Sequence, residues 1–192
     1  ITLYLKDSTD NLDTDEYLDE YKLTSIVKKY SDYIRYPIKM FVPGDKDSKE
    51  EKTLNRMIPI WKKKKNQVKE SEYNDFYTDK FYDYEKPLKV ISTSVEGQCN
   101  YKSLLFIPGK APYNYYTHEY EKGLQLYTKG VFIMDKCAEL LPDYLRFIKG
   151  IVDSSDLSLN ISREMLQHDR QLTKIASNLE KKVVKHLSEL QN

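Results

Sequence analysis

The chain has 192 residues, a net charge of +1 from 31 Lys and Arg against 30 Asp and Glu, and 17 tyrosines. This length predicts one domain, or one domain with attached pieces, able to bury a core without disulfides. The near-zero charge argues against a dedicated nucleic-acid binder, and the longest apolar runs are far shorter than a membrane span. The two cysteines, Cys99 and Cys137, lack metal or redox spacing, which predicts a reducing compartment such as the cytoplasm.

The first third of the chain predicts short elements separated by polar segments. Residues 1–5 alternate like a strand, and because the chain begins there without Met we expect a fragment. Residues 7–15 predict an acidic linker, and residues 16–31 predict a helix, in one piece or two. A strand is predicted over residues 38–42, and residues 57–61, interrupted by a proline, predict an edge strand or an irregular segment.

The middle of the chain changes from helical to strand periodicity. Three consecutive strands are predicted, over residues 88–95, 101–107 and 124–134. A helix is predicted on either side of them, over residues 71–82 with Ser71 as its cap and over residues 138–149. These elements favour a mixed α/β fold, in which a largely antiparallel sheet is covered by helices.

The last forty residues predict a polar loop over 153–162 and then a long amphipathic helix over 165–190, broken near 168–170. Ser162 is a candidate helix cap, which puts Arg163 in a first turn where the helix dipole disfavours a cation. A guanidinium beside free backbone N–H groups can bind a phosphate. The alternative is that Arg163 pairs with a nearby carboxylate, Asp156 or Glu164.

Other chemical signals are weak. The six glycines form no phosphate-binding loop, and none of the three histidines has a metal-ligand spacing. Trp61, the only tryptophan, is either an exposed partner anchor or a core residue, and the pattern leaves both open. The lysine run 62–65 is a solvated turn or a binding patch, and the tyrosines at 113, 115 and 116 form a sticky surface or a packed loop.

Six strings of the chain stand out together: DSSDLSLNISREMLQ at 153–167, LLFIP at 104–108, VFIMD at 131–135, PDYLRFIKG at 142–150, VKKYSD at 27–32 and SVEG at 94–97. In their order along the chain, they resemble the middle domain of the heat-shock protein 90 chaperones. The resemblance covers essentially the whole chain, and the first string is the most specific of them.

The resemblance implies a domain organisation. Residues 1–6 are the last strand of a missing N-terminal ATPase domain, and residues 7–15 are a linker as short as that of bacterial members. Residues 16–152 are the large α/β part of the middle domain, and residues 153–192 are its catalytic loop and a C-terminal helical segment. The fragment then also lacks a C-terminal dimerisation domain and is not an enzyme alone.

The resemblance also implies site residues. Arg163 contacts the γ-phosphate of ATP held by the N-terminal domain, with Gln167 one helical turn later. Docking contacts with that domain are assigned to Leu157, Leu159 and Phe132, and Trp61 becomes an exposed client-binding residue. ATP and magnesium belong to the full-length, homodimeric ATPase, whose partners are client proteins; no cofactor or metal is expected in the fragment, and neither nucleic acid nor membrane is an expected partner.

Two departures from the family pattern affect this interpretation. Lys129-Gly130 stands where many members have two arginines, and Ser158 stands where many have a proline. The alternative function is a nucleic-acid-binding module, in which tyrosines stack on bases and the lysine run tracks phosphates.

Overall fold

A computed structural model describes residues 4–9, 13–43, 49–158 and 169–191. The chain divides into two compact units, Ile1–Ile58 and Pro59–Asn192. The four domain segments expected from the resemblance stay a prediction.

The first unit consists of a helix and a two-stranded sheet. A 3₁₀ turn over Asp15–Leu18 precedes helix α1, Glu20–Tyr30, and strands β1, Lys39–Pro43, and β2, Lys49–Thr53, pair antiparallel. The predicted helix over 16–31 is therefore present in two pieces, whereas β2 falls in a charged stretch that has no strand signal. Tyr4 and Leu5 lie outside any strand, and residues 1–3 lie outside the described ranges.

The second unit is built on a five-stranded sheet. Its elements are α2 Glu70–Phe81, β3 Lys89–Val95, β4 Tyr101–Ile107, β5 Leu124–Thr128, β6 Val131–Cys137, β7 Lys149–Ser154 and α3 Arg170–Leu190. The strand order is β3-β4-β7-β5-β6, and every neighbouring pair is antiparallel except β5 and β7. The mixed, largely antiparallel sheet predicted from the sequence is confirmed.

Helices cover both faces of this sheet. Phe106 of β4 packs against Phe76 and Tyr77 of α2, with ring centroids 6.2 and 5.0 Å apart. Its neighbour Leu105 belongs to a core cluster on the other face that includes Ile175 of α3. Because successive side chains of a strand point to opposite faces, α2 and α3 form separate layers. The result is the αβα arrangement expected from the sequence.

The helix predicted over 138–149 is wrong. Two 3₁₀ turns, Ala138–Leu140 and Asp143–Leu145, lie there instead, and β7 begins at Lys149. Pro142 interrupts the helix because its ring disfavours helical backbone at the preceding residue, and Leu141 is indeed extended. The apolar residues Leu140, Leu141, Leu145 and Ile148 are buried nonetheless, which gave the segment its helical spacing.

Strand β7 was missed because its six residues include Gly150, Asp153 and Ser154, so it lacks the apolar run that marks the equally buried β4. It is buried from Gly150 to Ser154, so it lacks the alternation that marks a half-exposed strand. Gly150 is required there, since a Cβ would lie 2.5 Å from the Leu104 carbonyl oxygen of β4. The segment predicted as one strand over 124–134 is instead the hairpin of β5 and β6.

Candidate functional site

Several hydrogen-bonded polar groups of the second unit lie where β7 leaves the sheet. The strand ends at Ser154, and the described chain continues to Ser158. Arg163, Gln167 and Leu159 follow within residues 159–168, which lie outside the described residues. Their predicted roles therefore remain predictions, and the geometry that surrounds them is that of the two flanking segments.

Asp153, the penultimate residue of β7, is a buried carboxylate with three donors. Its Oδ2 accepts a hydrogen bond from Trp61 Nε1 at 3.0 Å and lies 2.9 Å from Lys62 Nζ. Its Oδ1 accepts from the Gly130 amide at 3.1 Å. The residue is 5% exposed, and a carboxylate so placed is costly unless it is paired and hydrogen-bonded. These contacts fix the end of β7.

Trp61 is 3% exposed, so the expectation of an exposed tryptophan is wrong. Its ring lies 6.1 Å from that of Phe76 in α2 and 5.2 Å from that of Tyr127 in β5. The indole N–H is directed to Asp153 rather than to solvent. The hypothesis that Trp61 contacts client proteins has therefore lost the exposure on which it depended.

Asn100, which precedes β4, binds the turn that follows β7. Its amide N donates to Asp156 Oδ2 at 2.7 Å, and its Nδ2 lies 3.1 and 3.2 Å from the two carboxylate oxygens of Asp156. Its carbonyl accepts from Ser154 Oγ at 2.9 Å and from the Ser155 amide at 3.3 Å. The Asn100 backbone and then its side chain hold the pKa of the Asp156 carboxyl below its usual value.

The two described docking candidates differ in burial. Leu157 is 3% exposed and belongs to the core cluster, so its side chain stabilises its own unit rather than lying ready on the surface. Phe132 of β6 is half-buried, and its ring packs edge-on against Tyr127 at 5.4 Å. Of these two, Phe132 keeps the accessible surface that a docking contact requires.

The other flank of residues 159–168 is fixed by the start of α3. The carboxylate of Asp169 accepts hydrogen bonds from the Gln171 and Leu172 amides at 2.7 and 3.0 Å, a regular N-terminal cap. Leu172 is buried in the core cluster. The sequence predicted a helix break at 168–170, and in the structure the helix begins at Arg170.

Comparison with known proteins decides the family. A family model described as Hsp90 protein matches residues 43–192. The chain belongs to the Hsp90 family. It is 55% identical to the chaperone protein HtpG of Oceanobacillus iheyensis, over 99% of this chain and 32% of that protein.

Two further relatives agree with this assignment. The chaperone protein HtpG of Clostridium botulinum strain Loch Maree is also 55% identical, with the same two shares. That of Shouchella clausii is 57% identical over 93% of this chain and 30% of its own length. This Hsp90-family chain thus spans about a third of the length of the curated relatives it matches, and the family resemblance derived from the sequence strings is confirmed.

The described part of the chain holds neither a metal-binding cluster nor a membrane span. Within it, no group of three or more His, Cys, Asp or Glu could hold a metal ion. No helix among the same residues is long and apolar enough to cross a bilayer.

Proposed function

We propose that this chain is the middle segment of an ATP-dependent molecular chaperone. In this proposal the Arg163 guanidinium contacts the γ-phosphate of ATP held by a separate N-terminal domain, and Gln167 assists it. The observation that supports it most is that residues 159–168, all but the last of which belong to the most specific family string, connect two anchored flanks of one unit. Leu157 is buried in the core on one flank, and Asp169 caps α3 on the other.

The anchored flanks matter for the energetics of this contact. A chain with fixed ends samples fewer conformations than a free one, so less entropy is lost when its arginine engages a phosphate. A guanidinium that stabilises the charge of a transferring phosphoryl group raises the rate by about 10³-fold or more in related systems. The proposed role of Arg163 is of this kind, and it requires a nucleotide bound elsewhere.

The chain itself has no glycine-rich phosphate loop. We therefore assign ATP and magnesium to the N-terminal domain and none to this chain, and homodimerisation to a C-terminal domain. The purified chain is expected neither to bind ATP tightly nor to hydrolyse it, as measured by calorimetry and phosphate release. Saturable ATP turnover by the isolated chain would contradict the proposal.

Client binding is assigned to the loop between β4 and β5. Tyr113 and Tyr116 are 99% and 88% exposed there. Arg146 packs against this loop. Its guanidinium lies 4.4 Å from the ring centre of Tyr115, and its backbone carbonyl accepts a hydrogen bond from Tyr120 Oη at 2.9 Å. Exposed aromatic rings on a fixed loop are good anchors for apolar segments of unfolded proteins.

Substitution of Tyr113 and Tyr116 by Ser tests this assignment. In the full-length protein we expect binding of an unfolded client to weaken by about tenfold, because two aromatic anchors are lost. Tyr84→Ser, which removes an equally exposed ring elsewhere on the same unit, is the matched control. Equal affinities for the double variant and the control would argue against this client surface.

The nucleic-acid alternative gains no support from the described residues. Two of the four lysines in the run 62–65 are engaged, Lys62 with Asp153 at 2.9 Å and Lys63 with Glu72 at 3.4 Å. Ion pairs with carboxylates reduce the positive potential that phosphates would meet.

A further inference from the structure

We propose that the loop between β4 and β5, residues 108–123, selects extended segments of unfolded proteins that carry arginine beside apolar residues. The inference rests on the proposed function, because it concerns the same client surface, and it adds the chemical class of segment that this surface accepts. The exposed rings of Tyr113 and Tyr116 supply aromatic faces, and the two exposed glutamates that follow them, Glu119 and Glu121, supply negative charge.

The first step is that the loop folds into consecutive turns. The Tyr115 amide donates to the Pro112 carbonyl at 3.0 Å, and the Thr117 amide donates to the Asn114 carbonyl at 2.9 Å. The Tyr120 amide then donates to the Thr117 carbonyl at 3.3 Å. Hydrogen bonds of this spacing close β-turns, whose first and last Cα atoms lie within about 7 Å of each other. The turns therefore hold the tyrosines and the residues that follow them in one compact stretch of chain.

The second step is the charge that the loop presents. Both of its lysines are engaged by carboxylates outside it, Lys110 with Glu85 at 3.1 Å and Lys122 with Asp143 at 2.5 Å. The two glutamates are exposed, and neither forms an ion pair with any other residue that the structure describes. Because the lysines are neutralised by their partners, the unpaired charge of the loop is negative, and it attracts a cationic segment.

The third step is that the loop already holds one guanidinium against its rings. The guanidinium of Arg146 lies 4.4 Å from the ring centre of Tyr115 and 5.4 Å from that of Tyr120, and it donates to the Tyr115 carbonyl. Arg146 is half-buried, whereas the rings of Tyr113 and Tyr116 are exposed. Since the face of a tyrosine ring attracts cations, the guanidinium of a client can stack on the exposed rings as Arg146 does on the inner ones.

This chemistry favours arginine over lysine in the client. A guanidinium is planar and weakly hydrated, so it can stack on a ring while it donates to a carboxylate, whereas an ammonium is a compact, strongly hydrated charge. Apolar residues beside the arginine contact the remaining ring surface. A segment that carries acidic side chains meets the two glutamates instead and is repelled by them.

The test compares the binding of two labelled peptides to the full-length protein by fluorescence anisotropy. The peptides share their leucine and phenylalanine residues, and they differ only in carrying two arginines or two glutamates. We expect the arginine peptide to bind about tenfold more tightly at low salt. This preference should decrease at about 0.5 M NaCl, because salt screens the attraction between exposed charges.

Neutral variants of the glutamates locate the source of the preference. Glu119→Gln combined with Glu121→Gln should reduce the preference to about threefold, the part that is due to the rings. The matched control is Asp75→Asn combined with Glu96→Gln, which removes two exposed carboxylates elsewhere on the same unit and should leave the preference unchanged.

The outcomes separate this inference from the proposed function. Equal affinities for the two peptides, or a preference that the glutamate variant retains in full, would overturn the inference alone. An equal reduction in the control variant would overturn it as well, because the preference would then reflect the total charge of the protein. If Tyr113→Ser combined with Tyr116→Ser bound both peptides as the wild type does, the proposed client surface would fail together with the inference.

Discussion

All the polar groups of Asn100 form hydrogen bonds around the point where the chain leaves β7. Its amide and side-chain nitrogens bind Asp156, its carbonyl binds Ser154 and Ser155, and its Oδ1 accepts from the Gly97 amide at 3.0 Å. A single residue thereby ties the β3–β4 turn to the turn after β7. The Asp156 carboxylate that the sequence offered as a partner for Arg163 is bound here by Asn100.

The lowered pKa of Asp156 predicts a pH-dependent contribution to stability. A depressed carboxyl pKa stabilises the fold above the unfolded-state value, near 3.8, and this contribution is lost as the pH falls through the folded-state value. Asp156→Asn should therefore be less stable than the wild type between pH 5 and pH 8, with a difference that shrinks below about pH 4. Urea unfolding across this range measures it.

The Asn100→Ala background provides the control for this prediction. It removes the side-chain donor to Asp156, so Asp156→Asn should there produce a smaller stability difference and a weaker pH dependence. An undiminished difference would show that the side chain of Asn100 contributes nothing and that the backbone amide of residue 100, which alanine keeps, accounts for the effect.

At the scale of elements, the Lys129-Gly130 departure lies in the turn of the β5–β6 hairpin. The turn has two central residues, and both have positive φ, 54° at Lys129 and 85° at Gly130. Two-residue hairpins of this kind favour Asn-Gly, because lysine is strained in the left-handed region and glycine is not. The backbone amide of Gly130 in this turn donates a hydrogen bond to Asp153, so the turn helps to fix the C-terminal end of β7.

This strain makes Lys129→Asn a stabilising substitution. We expect the free energy of unfolding to rise by about 1 kcal/mol, the order of the left-handed penalty that asparagine tolerates better. Thermal or urea denaturation measures the change. Gly130→Ala should shift stability in the opposite direction, and a Lys129→Asn variant no more stable than the wild type would contradict the assignment of strain.

Local pattern was sufficient for some elements and insufficient for others. The residues of α2, β3 and α3 carry clear periodicity, β4 is marked by its apolar run, and the predicted ranges lie close to the observed ones. The pattern failed at β7, because this buried strand has neither alternation nor a long apolar run, and at 138–149, where apolar residues at helical spacing lie in two 3₁₀ turns. In both places tertiary burial outweighed local signal.

The candidate site was only partly accessible from the sequence. Arg163 was selected through the family resemblance, since its helix-start position alone fitted an ion pair as well as a phosphate contact. Asp153 and Asn100 were not selected, because their partners Trp61 and Asp156 lie 92 and 56 positions away. A contact between residues so far apart in sequence cannot be predicted from residue spacing or composition. The burial of Trp61 could not be predicted for the same reason.

At the scale of the whole molecule, the chain spans about a third of its curated relatives. In the proposed function, such a segment contributes Arg163 to a nucleotide site formed elsewhere, and the near-zero net charge fits that role better than independent phosphate binding. The account therefore depends on whether one arginine of this chain acts on a nucleotide bound outside it.

Arg163→Ala in the full-length protein tests that claim most directly, with Arg170→Ala at the exposed start of α3 as the matched control. We predict that kcat for ATP hydrolysis falls by about 10³-fold while the dissociation constant of ATP stays within about twofold, and that the control is unaffected. An unchanged kcat in Arg163→Ala, or a loss of activity that weaker ATP binding fully accounts for, would contradict the account.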